Sequence, residues 1–325
     1  MLSELEHYST IALYSAMIVY SIAFVFYAVD LANRSGDTAP QASRGGEQQA
    51  AAGGGGVSTL TRTATARTET RQPRSRSLRI GFSLTVLAFV LHLAATVLRG
   101  IAASRVPWAN MYEFALTATC AIMLVFLVAQ LFIDLRFLGT LVTGLVVLFL
   151  GVSKVNYYVE IVPLQPALDS YWLVIHILVA VLAVGFFTLS FGLALLQVLQ
   201  SGREAKIAAQ EPGGLRFLAT LPNAVRLEDI AYRLAIIGFV FWTFTLIAGS
   251  IWAEAAWSRY WGWDTKEVWT FVIWVLYAGF IHARATRGWR GTRSAWLNII
   301  AYAAVIFNFT IVNVFFKGLH AYSGL

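Results

Sequence analysis

Charged residues are scarce in this chain of 325 residues, where Asp, Glu, Lys and Arg together make up only 13%. A water-soluble domain usually carries about 25% charged residues, and this chain has too few to cover a surface that faces water. Hydrophobic residues make up 58%, and the mean hydropathy is +0.67. These values exclude a soluble globular enzyme. They also exclude disorder over most of the chain, because segments this apolar do not stay solvated.

Cysteine is almost absent, since Cys120 is the single example. This excludes an intrachain disulfide, a Cys-x-x-Cys redox centre and a thiolate metal cluster built within the chain. The formal net charge is +7. In a membrane protein an excess of Lys and Arg more often sets the topology than binds nucleic acid, so no nucleic-acid partner is expected.

Long apolar runs are what the sequence does contain. A spanning helix needs about 20 mainly apolar residues, and eight stretches qualify: 9–31, 80–98, 113–133, 137–153, 171–199, 230–250, 268–283 and 295–316. The predicted fold class is therefore all-α, a polytopic integral membrane helical bundle of about eight transmembrane helices. The first run is not expected to be a cleaved signal peptide, because it carries Glu4 and Glu6 in place of a basic region and has full span length.

Basic residues in the loops predict the orientation. With the N terminus outside, the inner loops hold 17 Lys and Arg residues and the outer segments hold 6, which favours an N-out, C-out arrangement. The predicted organisation is a first transmembrane helix at 1–34, a flexible basic cytoplasmic linker at 35–79, and a membrane domain at 80–325. The linker is rich in Gly, Ala, Ser, Thr and Arg and shows no apolar periodicity.

Tryptophan is concentrated in an outer loop predicted at 251–268 and the residue that follows it. Five of the eleven tryptophans lie here, together with Tyr260: Trp252, Trp257, Trp261, Trp263 and Trp269. An aromatic belt at the membrane surface is one interpretation, but a belt needs only one or two rings per helix end. Trp257 and Trp261 are four residues apart and share a face if the loop is helical. Because indole rings stack on flat π systems, the alternative is an apolar shelf for a porphyrin, with Arg259 and Lys266 as cations for its propionates or as ordinary interfacial anchors.

Histidines flank this loop in the predicted topology. His176, near the outer end of the fifth span, and His320, after the eighth, fall on the same outer surface, and neutral imidazole is a common axial ligand of haem iron. Each could instead be a hydrogen-bonded core residue. His282 lies at the inner end of the seventh span, up to about 28 Å from Trp263 at 1.5 Å per residue, so it is a candidate for a second site or an interfacial residue. His92, in the middle of a span, is expected to be a core residue hydrogen-bonded to another helix.

Several of these residues together resemble a known family. Trp257, Trp261, Trp263 and Asp264 resemble the tryptophan-rich W-G-x-x-W-x-W-D signature of haem-handling proteins, and the continuation through Trp269 resembles the CcsA/ResC family of cytochrome c biogenesis proteins (System II). Further matches are the run RVPWANMYEF at 105–114 and the histidine segments YWLVIH, GFIHAR and GLHAY. The resemblance covers roughly 80–325. One departure is Ser258, where the signature usually has Gly, a residue that would permit a close backbone approach to the ligand.

The resemblance implies a haem-handling subunit of a cytochrome c synthase. The ratio of 20 Arg to 4 Lys favours a bacterial plasma membrane, and the loop charges place the tryptophan loop on the extracytoplasmic side. Haem b would enter near His282 and move to the outer site, where His176 and His320 bind the iron. Trp257, Trp261, Trp263 and Asp264 would support attachment to the CXXCH thiols of apocytochrome c. The other implied haem contacts are Trp252, Tyr260, Trp269, Arg259 and Lys266. A membrane protein of the ResB/CcsB type is the implied partner, and a thioredoxin-like thiol reductant is a further candidate.

Three alternatives remain open on the sequence alone. A haem exporter without synthase activity would share the outer site. A b-type electron-carrying cytochrome would need histidine pairs at matching depths, for which only His92 and His282 are candidates. A structural scaffold would leave the tryptophan density unexplained. For Asp264 and Glu267, capping of the seventh helix at its N terminus is the alternative to a role in the site.

Overall fold

The computed structural model describes residues 2–37, 75–162, 164, 168–286, 288–316 and 318–320. Within these ranges the chain is helical without strands, and eight segments are long and apolar enough to cross a membrane. The helices are α1 (Leu2–Asp37), α2 (Arg76–Ala103), α3 (Met111–Ala129), α4 (Gly139–Asn156), α5 (Tyr171–Ala208), α6 (Ala224–Trp257), α7 (Thr265–Ala285) and α8 (Thr292–Phe307). The last span continues through a π-helical turn (Asn308–Val312) and a final turn (Asn313–Phe315). The protein is thus an all-α, multi-pass membrane protein, as predicted.

Each predicted span overlaps one helix, but several boundaries differ. α1 runs to Asp37 and α5 to Ala208, beyond the apolar runs that predicted them. α3 ends at Ala129, so the end of the third predicted span, 130–133, lies in a turn. Most of the predicted linker, 38–74, lies outside the described residues. Of the predicted loop 251–268, only 258–264 is outside the helices.

Aromatic stacking joins the central helix α5 to its neighbours. Phe187 on α5 stacks on Tyr277 of α7 with ring centroids 3.6 Å apart, and Phe191 stacks on Tyr302 of α8 at 4.4 Å. Gly238 of α6 permits this packing, because a Cβ there would lie 2.8 Å from the Phe187 ring. Helices in a bilayer associate through such close packing and not through a hydrophobic driving force, since lipid is itself apolar.

A buried ion-pair network ties the ends of α1, α2 and α3 together. Glu113, which is fully buried at the start of α3, accepts hydrogen bonds from Arg99 (3.1 Å) and Arg105 (2.6 Å). Arg99 also pairs with Glu6 of α1 and donates to the carbonyl of Val159. Because buried charges are retained only when they are paired and hydrogen-bonded, this network fixes the segments 104–110 and 157–159 that border the candidate site.

Candidate functional site: a cavity between two histidines

A cavity at this end of the bundle brings together residues that are far apart in the sequence. It encloses about 770 Å³ of empty space, part of it in an open mouth. His176 of α5, Trp252 of α6, Lys266 of α7 and His320 after α8 all line it. Both histidines that the sequence offered as candidate iron ligands therefore lie in the wall of one cavity.

Both histidines use the same ring nitrogen to hydrogen-bond to the protein. His176 Nδ1 lies 2.9 Å from the carbonyl oxygen of Thr245, and His320 Nδ1 lies 2.8 Å from Asp264 Oδ2. Since an oxygen acceptor requires Nδ1 to carry the proton, Nε2 of each neutral imidazole keeps its lone pair. A hydrogen bond from the other ring nitrogen to an oxygen atom is what orients metal-binding histidines and raises their basicity. Both rings are therefore prepared to bind a metal ion through Nε2.

Trp252 occupies the space beside both imidazoles. Its ring is stacked on His176 at 6.0 Å and meets His320 edge-on at 5.5 Å, which places the two imidazoles at most about 12 Å apart. Trp257 packs edge-on against both Trp252 (4.8 Å) and His320 (5.0 Å). Trp252 is only 2% exposed. An apolar aromatic wall is thus continuous from one imidazole to the other.

Asp264 connects the start of α7 to His320. Its side chain accepts from Lys266 N as the N-cap of α7, and Glu267 reciprocates by accepting from Asp264 N, which completes a capping box. The same carboxylate accepts from His320 Nδ1 and from Leu319 N. The hydrogen bond from His320 is the main cause that holds the pKa of Asp264 below its usual range. Capping of α7, the alternative considered from sequence, is therefore present together with the orienting contact.

Glycine permits a close approach at each histidine. A Cβ on Gly249 of α6 would lie 2.7 Å from His176 Cε1. A Cβ on Gly318 would collide with Oδ1 of the Asp264 carboxylate, which accepts from His320. Glycine at these positions therefore leaves room for the His176 ring and for the carboxylate that holds His320.

The tryptophan segment does not form one flat shelf. Trp257 and Trp261 would share a face only if the loop were helical, and it is not, because α6 ends at Trp257 and Ser258 adopts a left-handed conformation (φ +55°). Trp261 instead packs at 89° to Trp263 and at 82° to Phe271 of α7. Trp263 also has a positive φ (+58°) and is 78% exposed. A bulky residue in that conformation is strained, and such strain is concentrated at functional sites.

The remaining predicted contacts are distributed around this centre. Lys266 lines the cavity, donates to Asn313 Oδ1 and lies over the Phe309 ring at 5.4 Å. Tyr260 and Trp261 line an adjoining cavity that shares His176, Trp252 and His320 with the first. Arg259 is exposed, and Trp269 packs on Phe307 of α8 at 4.4 Å. Neither of these two is among the residues that line the two cavities.

The other two histidines lie elsewhere. His92 is fully buried and its Nε2 lies 3.0 Å from the carbonyl oxygen of Leu116 on α3, which matches the expected bond to another helix. His282 is exposed in the last turn of α7. In the part of the chain that the structure describes, three or more His, Cys, Asp or Glu side chains never gather into a group able to hold a metal ion.

Several cavity residues were not predicted from the sequence. Trp108, Thr245, Thr270, Phe309 and Asn313 all line the cavity. Their residue types are common in membrane helices and carry no spacing signal. Asn110 was part of a noted motif, and the structure shows it capping α3 through a 2.9 Å bond from Glu113 N while also lining the cavity.

Comparison with known proteins identifies the family of the chain. Residues 108–320 match the family described as "Cytochrome C assembly protein". "Cytochrome c biogenesis protein CcsA" of Synechococcus sp. (strain RCC307) is 32% identical over 275 residues, which is 77% of this chain and 87% of that protein. The protein of the same name from Guillardia theta is 30% identical, with 76% of this chain and 86% of that protein covered.

The chain belongs to the CcsA family of cytochrome c biogenesis proteins. Its fold is also similar to a solved structure, "Cytochrome c Heme Lyase CcmF", with a TM-score of 0.56 at 17% identity. That match covers 92% of this chain and 46% of the larger protein. At this identity it shows a shared helical fold. The family membership assigns the chain a role in cytochrome c biogenesis.

Proposed function

We propose that the chain is the haem-handling subunit of a cytochrome c synthase and that His176 and His320 bind the haem iron in the cavity described above. The observation that carries the proposal is the matched pair of imidazoles. Each has its Nδ1 held by an oxygen atom, 2.9 Å away for His176 and 2.8 Å for His320, and both flank the buried ring of Trp252. Two neutral imidazoles are a common axial ligand set for haem.

The neighbouring residues suit a porphyrin substrate. Trp252 and Trp257 offer apolar ring surface, and Lys266 supplies a cation in the cavity wall that can pair with a propionate. Asp264 keeps His320 in the tautomer that presents Nε2. Trp261 and Trp263 are exposed beside the site, where they can contact an incoming polypeptide. Iron with two axial imidazoles has no open position, which disfavours oxygen binding and iron-based side reactions.

The proposed reaction adds the two CXXCH thiols of apocytochrome c to the haem vinyl groups. Each S–H adds across one C=C bond, so the addition is redox-neutral. Cys120 is buried within α3 and supplies no thiol, so the contribution of this chain is to position the reactants. We place the site on the outer face of a bacterial plasma membrane, which the basic loops support, and His282 at an inner site completed by a ResB/CcsB-type partner.

An absorption experiment tests the iron ligands. The full chain, purified with its membrane partner from haem-replete cells, should show a bis-imidazole spectrum when reduced. In a His282→Ala background, which removes the proposed inner site, His176→Ala and His320→Ala should each lose it, and added imidazole should restore it. The matched control is His7→Ala, which removes an exposed histidine from α1. A folded complex that shows the same spectrum after either cavity substitution would overturn the assignment.

A second readout separates a synthase from an exporter or an electron carrier. Thioether attachment is measured as covalent haem on a co-expressed CXXCH protein in gels stained for haem. The proposal expects attachment to fall in parallel with the spectrum in the His176 and His320 variants. Normal attachment in a strain that lacks this chain would favour an exporter or an electron carrier.

A further inference from the structure

A second cavity lies beside the first, among α3, α4, α5 and the last span. It encloses about 700 Å³ of empty space, part of it open to the surface, and its wall is almost entirely apolar. Ala118, Phe149, Val184 and Tyr302 are among its lining residues. We propose, resting on the function above, that the porphyrin reaches the histidine cavity sideways through this second cavity. The cavity containing His176 and His320 is hereafter the ligand cavity, and the second is the lateral cavity.

The two cavities share one wall. Met111, Phe114 and Phe309 line both of them. Phe114 and Phe309 stand nearly parallel, with ring centroids 4.9 Å apart and an interplanar angle of 18°. The two parallel rings separate the cavities only as long as they remain stacked on each other. Each ring also has a flat face on which a porphyrin can stack. This pair is therefore a gate between the lateral cavity and the ligand cavity.

The backbone beneath the gate has an uncommon geometry. Phe309 lies in the π-helical turn Asn308–Val312, and such turns occur mostly as single insertions in α-helices at functional sites. A π turn holds one residue more than the α-helical turn it replaces. A return to α-helical hydrogen bonding would therefore rotate Phe309 about the helix axis relative to Phe114. A change between the two hydrogen-bonding patterns would therefore open or close the gate.

The mouth of the lateral cavity opens between two membrane-spanning helices. Val152 of α4, which is 44% exposed, and the exposed Thr310 line it at the surface. Ser153, which is 3% exposed, also lines the cavity, and its Oγ is a buried atom with no hydrogen-bond partner among the described residues. A buried hydroxyl without a partner is costly. A porphyrin has a flat apolar face that can stack on the rings, and propionates at one edge that can hydrogen-bond to this hydroxyl. A lipid acyl chain leaves the hydroxyl unpaired.

Two substitutions on α4 test this route. Val152→Trp fills the mouth, while Leu148→Trp adds the same ring at a lipid-exposed position of the same helix outside the cavity (57% exposed). Because both sites are at the surface, neither change should prevent folding. The full chain in lipid nanodiscs is mixed with vesicles that contain reduced haem, and the growth of the bis-imidazole band is followed by stopped flow. We expect Val152→Trp to slow loading by about tenfold with an unchanged final spectrum, and Leu148→Trp to load at the wild-type rate.

A gate variant and a second probe complete the test. Phe114→Leu should speed haem loading, because it removes one ring of the stack. Metal-free protoporphyrin IX, which imidazole cannot ligate, should quench tryptophan fluorescence in the His176→Ala/His320→Ala variant, and adding Val152→Trp should slow the onset of that quenching. Equal loading rates and equal quenching in Val152→Trp and Leu148→Trp would overturn the lateral route while leaving the ligand assignment intact. A quenching rate that depends on position 152, together with a haem-loaded protein with both histidines that shows no bis-imidazole band, would overturn the ligand assignment and support the lateral cavity.

Discussion

At the level of single residues, Asp264 serves the site through both of its oxygen atoms. Oδ2 accepts from His320 Nδ1 at 2.8 Å, and Oδ1 accepts from Leu319 N at 3.2 Å. The same side chain caps α7. Asn caps helices about as well as Asp but carries no charge, so Asp264→Asn separates the capping role from the orienting role.

Asp264→Asn should therefore preserve the fold and weaken haem binding. Loss of a carboxylate that holds a metal-binding histidine typically lowers metal affinity by about 10–100-fold. We expect a loss of haem affinity in that range, measured by haem titration followed by absorption. Near-wild-type affinity in a folded Asp264→Asn variant would show that His320 does not need the carboxylate.

The pH dependence of stability gives an independent check on Asp264. A carboxyl whose pKa is lowered by folding stabilises the fold above its unfolded pKa of about 3.9, and this contribution disappears as pH falls through the lower folded value. The difference in unfolding free energy between wild type and Asp264→Asn should thus be constant from neutral pH to about pH 5 and shrink below about pH 4. A difference independent of pH down to pH 3 would contradict the lowered pKa.

Gly249 provides a test of how His176 is placed. In Gly249→Ala the new methyl group would meet the imidazole at 2.7 Å, so the ring must shift and the bis-imidazole spectrum should change or be lost. Gly279→Ala is the matched control, because a Cβ at that site on α7 has no neighbour within 4 Å. Alanine is favoured over glycine in a helix by about 1 kcal/mol, so the control should be neutral or stabilising. Equal spectra for the two variants would show that His176 tolerates the displacement.

At the level of secondary-structure elements, the end of α6 explains the position where the family signature usually has Gly. Ser258 has φ +55°, and a residue with a Cβ in the left-handed region costs about 1–2 kcal/mol relative to Gly. The sequence suggested a close backbone approach to the ligand as the reason for Gly. The backbone conformation accounts for it instead, and it places the turn after Trp257 without displacing the wall formed by Trp252 and Trp257.

Ser258→Gly should accordingly stabilise the protein by about 1 kcal/mol without changing haem affinity. Ser104 ends α2 with φ +53°, so Ser104→Gly is a matched substitution in the same backbone conformation far along the sequence. Thermal unfolding in detergent should show a similar gain for both variants. A loss of stability in Ser258→Gly alone would point to a role for the serine side chain.

The buried network around Glu113 predicts that removing its charge lowers the free energy of unfolding by a large amount. Glu113→Gln leaves Arg99 and Arg105 without their buried counter-charge, and breaking a buried pair costs about 3–5 kcal/mol. Asp134→Asn weakens a pair with Arg136 in which the Asp side chain is 60% exposed, and exposed pairs contribute about 0–1 kcal/mol. Unfolding in a mixed-detergent titration should rank the two variants accordingly. Equal losses would mean that the Glu113 network is solvated.

At the level of the whole molecule, the side of the membrane on which the site lies remains a prediction from the basic loops. In a Cys120→Ala background, Tyr260→Cys should react with a membrane-impermeant maleimide added to intact cells. Trp289→Cys, in the loop between α7 and α8, should react only after the cells are opened. Both positions are exposed, so accessibility within the fold does not bias the comparison. The reverse labelling pattern would invert the proposed orientation.

Sequence patterns predicted the helices and the partners in the cavity but not the course of the chain between them. Hydropathy located all eight spans, and loop charges brought His176, the tryptophan segment and His320 to one end of the bundle. The turn at Ser258 was missed because a left-handed serine has no sequence signal, so the sequence allowed Trp257 and Trp261 to share a helix face. Phe309 was missed because a phenylalanine in a membrane span is indistinguishable from a lipid-facing residue until its neighbours are known.

The order of the ligand cavity's residues along the chain bears on how the protein is made. His176 comes from the fifth span, Trp252 from the sixth, and His320 follows the eighth. A ribosome that has released only seven spans into the bilayer presents a single imidazole, and the carboxylate of Asp264 still lacks the histidine it orients. On the proposed ligand set, iron capture therefore waits until the eighth span has followed the seventh into the bilayer.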